Sequence, residues 1–154
     1  MPTVLGPAYA PDFVGRPPGL SRNDLLLWQH WIPTVRHQIS RAYFNVRLGV
    51  GKPAPSTGDP TMDRLWIELT QKRADAVLVA TPEVWIVELR DTAELSSLGR
   101  LAAYGVLWAQ DPVLPGLVRL LLVTNQPDPD LAAAAAAIGI IYTPITIPES
   151  AELP

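Results

Sequence analysis

The chain predicts an α/β fold, a mixed central sheet of about five strands flanked by helices. Two apolar stretches near 73–80 and 84–90 are separated only by Thr81-Pro82-Glu83, which joins them as a hairpin. Further on, the apolar run 117–124 leads through an alanine-rich helix to a last strand at 140–147, and strand, helix, strand with short connections implies a parallel crossover. With 154 residues, 48% hydrophobic and 18% charged, the chain is long and apolar enough for one domain with its own core.

Each element has a local cause. Residues 1–20 hold five prolines and three glycines, so they read as an extended arm without regular structure. The arm's apolar side chains, Val4, Leu5, Tyr9 and Phe13, are expected to bury against another subunit. The domain proper is expected over 21–147 and a polar tail over 148–154. Ser21 suits the N-cap of a helix carrying Leu25, Leu26, Trp28 and Trp31, kinked at Pro33 and ending near Gln38. Residues 43–50 alternate, placing Phe44, Val46, Leu48 and Val50 on one strand face and Tyr43, Asn45 and Arg47 on the other. Residues 51–60 are a loop by composition, and 65–70 resume strand character.

After the hairpin, 94–110 reads as an amphipathic helix with Leu95, Leu98, Ala102 and Val106 near one stripe. The run 117–124, broken only by Arg119, reads as a buried strand. Asp128 and Pro129 suit the N-cap and first turn of the alanine helix 130–138, with Gly139 as its C-terminal stop.

Composition excludes several functions. Without cysteine there is no disulfide, thiolate zinc site or thiol nucleophile. The sequence shows no signal peptide and no apolar run of membrane-spanning length, so the expected origin is intracellular, without a membrane partner. A net charge of −3 argues against a protein that coats nucleic acid in general. The charge is uneven, however: residues 1–74 carry nine Lys/Arg against five Asp/Glu, and residues 75–154 carry three against ten. His30 and His37 lack accompanying ligands and read as partly exposed packing residues. The five tryptophans fall on expected regular elements and read as packing groups. Ser96-Ser97 has no histidine at a useful spacing, and Gly49-Val50-Gly51-Lys52 lacks the spacing of a phosphate loop.

The chemistry lies in the hairpin. Lys72-Arg73-Ala74-Asp75-Ala76-Val77 and Trp85-Ile86-Val87-Glu88-Leu89-Arg90 set Asp75 beside Glu88, and period two puts Glu88 and Arg90 on one strand face. Paired carboxylates on adjacent strands are a way to build a divalent-metal site. The residues and element order resemble the PD-(D/E)XK nuclease superfamily, RecB-like members in particular, over roughly residues 22–145. The resemblance implies a restriction-endonuclease-like core in which Asp75, Glu88 and Arg90 hold the catalytic positions. It further implies Asp75 and Glu88 as ligands of any Mg²⁺; Arg73, Arg100 and Tyr104 are the candidate DNA contacts.

Three positions depart from that pattern. Arg90 stands where the family keeps lysine, Arg100 stands near where RecB-like members keep glutamine, and the first helix offers only Asp24, expected to lie too far from the cleft. Arginine does not deprotonate and its fork fits carboxylates, so Arg90 is expected to bridge Asp75 and Glu88 and plug the site. The expected function is therefore a non-catalytic, cofactor-free nuclease-fold subunit of a homo- or hetero-oligomeric assembly. By analogy, such an assembly is a tailed-bacteriophage virion near the head-to-tail connector. The alternatives are a Mg²⁺-dependent DNA endonuclease or exonuclease and a DNA-binding module without chemistry.

Overall fold

Ser21 ends the arm: its Oγ accepts from Asp24 N at 3.1 Å and starts α1, Arg22–Val35. The computed structural model describes residues 2–55 and 57–151, so the tail's last three residues lie outside it. A 3₁₀ turn, Arg36–Gln38, follows α1 and leads into β1, Arg41–Leu48. Next come α2 (Pro60–Thr70), β2 (Lys72–Ala80), β3 (Glu83–Arg90), α3 (Leu95–Gln110), β4 (Leu117–Asn125), α4 (Pro129–Ala137) and β5 (Ile140–Ile145). The five strands lie side by side in chain order, antiparallel from β1 to β3 and parallel from β3 to β5. This is the expected α/β architecture, a mixed five-stranded sheet flanked by helices. Among the described residues no helix is long and apolar enough to cross a membrane.

The two sheet faces bury separate cores. On one, α1 packs Leu27, Trp28 and Trp31 against Phe44, Leu78, Val87 and Leu89. On the other, α3 and α4 bring Leu98, Leu101, Trp108, Leu131 and Ala135 onto Val77, Val84, Ile86 and Leu122. Covered on both sides, β3 is apolar along most of its length, so a charged residue there is exceptional.

Several local expectations change. Residues 65–70 are helical, because Asp59 accepts from Thr61 N at 2.9 Å and Pro60 opens the first turn, which starts a helix that absorbs them. The buried stripe of α3 runs through Leu98, Leu101, Tyr104 and Trp108, while Leu95 and Val106 face outward. On β1 the alternation breaks at Asn45, whose φ of 52° is left-handed. Phe44 therefore belongs to the α1 core and Val46 and Leu48 to the α3 core, while Val50 is 74% exposed. Gly19 at φ 83° lets the chain pass against Asn45, where a Cβ would sit 2.8 Å from that side chain. His30 and His37 are exposed.

The arm lies along this chain's own β1, an edge strand with backbone groups to satisfy, and leaves Val4, Leu5 and Tyr9 half-buried. Val4 N donates to Arg47 O at 2.9 Å, and Tyr9 N and Ala42 N donate to each other's carbonyls at 2.8 Å. Thr3 N donates to the buried Asp111 Oδ2 at 2.9 Å, and Leu5 packs against the α3 core. The Tyr9 ring meets Phe44 edge-on at 5.4 Å and Phe13 at 4.8 Å, and Phe13 itself remains exposed. The arm is thus an outer layer of the sheet. Tyr9→Ala is expected to lower unfolding free energy by roughly 2 kcal/mol, below the cost for a fully buried aromatic ring. Thermal unfolding of the full chain measures it, and removal of residues 2–13 is expected to lower the midpoint further.

Candidate functional site

The hairpin places its charges where the strands part. The β2–β3 ladder runs in register from Ala80↔Glu83 to Ala76↔Val87. At the next rung a side chain replaces the backbone: Asp75 Oδ2 accepts from Leu89 N at 2.8 Å. The same level carries the switch of faces. Ala74 belongs to the α3 core and Ala76 to the α1 core, with Asp75 half-buried between them.

Glu88 follows the strand period onto the α3 face, where it is only 4% exposed beneath the buried Tyr104. Burial, followed by the Glu88 charge, raises the Asp75 carboxyl to about 8. Burial also raises Glu88, opposed by its contact with Asp75 and by the Arg90 and Arg100 charges. Ionised, both groups are acceptors, and Glu88 Oε2 is buried with no donor. One proton held between them supplies that donor and removes a buried charge. Tyr104 is raised well above the usual phenol range by burial and by the two carboxyls.

Arg90 does not bridge the pair. Its Nε lies 3.6 Å from Glu88 Oε1, the side chain is 40% exposed, and no ion pair to Asp75 exists among the described residues. Asp24, in the first turn of α1 fixed by Ser21, forms no metal-holding group with the pair among the described residues; its charge adds a lesser contribution to the raising of Asp75, and Arg90 acts on Asp24 in turn.

The remaining candidates separate into two places. Arg100 is exposed and lines a cavity of about 130 Å³ with Arg90, Thr92 and Ser96 beside the start of α3. Arg73 lies apart, its guanidinium donating to Glu68 O of α2 at 3.2 Å, so it does not join Arg100 and Tyr104. Sequence reading missed Asp111, the buried acid that anchors the arm, because nothing local marks it. It also missed the ion pair of Arg119 with Glu83 at 2.6 Å, which the parallel register brings together.

Neither a family model, nor a curated protein, nor a solved structure matches this chain. The donor set must speak for itself. Among the described residues no three His, Cys, Asp or Glu side chains are grouped as they would be around a metal ion.

The shared proton has a consequence for stability. Asp75 titrates from 3.8 in the unfolded chain to about 8 when folded, so the folded state binds the extra proton between these values. Its contribution is fully present below pH 3.8 and is lost as pH rises through about 8. Denaturant unfolding in chelator-treated buffer is expected to show stability falling across that window by a few kcal/mol. Asp75→Asn, which can accept from Leu89 N and donate to Glu88, is expected to flatten most of the slope and to be the more stable protein at pH 8.

Proposed function

We propose that this chain is a nuclease-fold protein used as a non-catalytic building block of a larger assembly, with a tailed-phage virion near its head-to-tail connector as the specific setting. The observation that carries the reading is the closed carboxyl pair: Asp75 is occupied by Leu89 N and Glu88, and Glu88 by Asp75 and Arg90. A hydrolytic site needs those oxygens directed at a cation or a water, and the resident charge at position 90 is one that cannot take up or release a proton. The element order from α1 to β5, with paired acids on adjacent strands followed by a helix bearing Tyr104, supports the likeness to the PD-(D/E)XK core. Use in an assembly is supported by α2, whose apolar side chains are exposed rather than buried.

A second reading, a Mg²⁺-dependent DNA nuclease, is favoured by one observation. Glu88 Oε2 is a buried carboxylate oxygen without a donor, and Asp24 lies near the same charge cluster. The third, DNA binding without cleavage, draws only on the arginine-lined cavity beside α3.

The purified protein is expected to leave linear and circular duplex DNA intact in Mg²⁺ or Mn²⁺, as read by gel assay. Cleavage that is lost in Asp75→Ala would establish the nuclease reading instead. Arg90→Lys shortens the side chain's hold on Glu88 and is expected to give weak Mn²⁺ affinity by calorimetry, with little change in folding, since the side chain is partly exposed.

A further inference from the structure

α2 buries none of its residues. Its hold on the domain is polar: Arg47 pairs with Glu68 at 3.4 Å, Trp66 Nε1 donates to Pro53 O at 3.1 Å, and Lys52 N donates to Thr70 Oγ1 at 2.7 Å. Yet Met62, Leu65, Trp66 and Leu69 recur at the spacing of a single helix face, and all four are exposed. A stripe of this kind marks a contact surface.

What covers it is indicated by charge. Residues 41–73, which hold β1, α2 and the start of β2, carry six Lys/Arg against three Asp/Glu. Residues 120–151, with most of β4, all of α4 and β5, carry three Asp/Glu and no Lys or Arg. The strand order sets these two regions at opposite edges of the sheet. At the acidic edge, Asp128 and Asp130 stand at the start of α4, whose outward residues Ala133 and Ala137 are small and exposed and are followed by exposed Ile138. Small residues let a second helix approach closely, so bulky side chains from α2 fit there. At the basic edge, Lys52, Arg64 and Lys72 enter no ion pair among the described residues.

We infer that copies of this chain associate head to tail, the α2 stripe of one seating on the outer face of α4 of the next, with Lys52 and Lys72, which lie together at the end of α2, drawn to Asp128 and Asp130. A two-fold pairing of α2 with itself is disfavoured. Antiparallel helices centred between Leu65 and Trp66 would oppose Asp63 to Glu68 and bring two cationic surfaces together. A head-to-tail contact repeats, so it yields rings or open chains rather than closed dimers. The arm supports this direction, since it covers the β1 edge and leaves the contact to α2. The inference rests on the building-block reading and supplies its geometry.

The test is mass by light scattering over a hundredfold concentration range, at low and high salt, for the full chain and two surface variants. The wild type is expected to exceed the dimer mass as concentration rises, with association weakened about tenfold by high salt. Trp66→Arg and Ala133→Arg, both at exposed helical positions, are each expected to remain monomeric with unchanged circular dichroism. An equimolar mixture of the two is expected to form a dimer and nothing larger, because only one intact pair of faces remains. A wild type that is monomeric throughout overturns the inference. So does an Ala133→Arg variant that still associates while Trp66→Arg does not, which would place α2 against itself. Neither result bears on DNA cleavage, so failure here is distinguishable from failure of the non-catalytic reading.

Discussion

Everything at the candidate site depends on the point where β2 and β3 stop pairing. Past Ala76↔Val87 the backbone ladder gives way, and the Asp75 carboxyl takes over the hydrogen bond from Leu89 N. That substitution draws one acid into the space between two cores while β3 carries a second, Glu88, onto the buried α3 face. Two carboxyls enclosed together cannot both stay ionised without a compensating cation. Arg90 offers partial compensation from a half-exposed position on Glu88 alone. A proton supplies the rest, and the closed character of the pair follows from that balance.

The same constraint explains why the surroundings are built as they are. The left-handed Asn45 on β1 stands at the level of Asp75, and both strands exchange faces there. This twist allows Phe44 to join the tryptophans of α1 while Val46 and Leu48 support α3. The arm then closes the outer edge of β1 with two short bridges, so the strand that backs the site has partners on both sides. Asp111, reached by Thr3 N, ties the arm to the end of α3, whose Tyr104 lies over Glu88. The arm is therefore tied by hydrogen bonds both to β1 and to the end of α3.

Much of this was legible in the sequence where the cause is local. Ser21, Asp128 and Pro129 announce helix starts through capping chemistry that does not depend on the rest of the fold. The hairpin at Thr81-Pro82 and the apolar runs of β3 and β4 are equally self-declaring. The paired acids were visible because period two fixes where Glu88 and Arg90 point. What failed did so for tertiary reasons. Residues 65–70 carry β-compatible side chains, yet the Asp59 cap six residues upstream recruits them into α2. The stripe of α3 is set by which side chains meet the sheet, and Tyr104 and Trp108 outweigh Leu95 and Val106 in that contact. The arm's proline content announced an extended chain but not which edge it covers.

The central claim is that Asp75 and Glu88 are closed on each other around one proton. Carboxyl carbon resonances of these two side chains, followed by NMR from pH 3 to 10 with and without Mg²⁺, test it most directly. The account predicts two separated steps belonging to the pair, the first above the ordinary Glu value and the last proton leaving only near pH 8, with curves unchanged by Mg²⁺. Two transitions near the ordinary carboxylate range, or a pair that ionises fully at neutral pH when Mg²⁺ is added, would contradict it and open the site to metal chemistry.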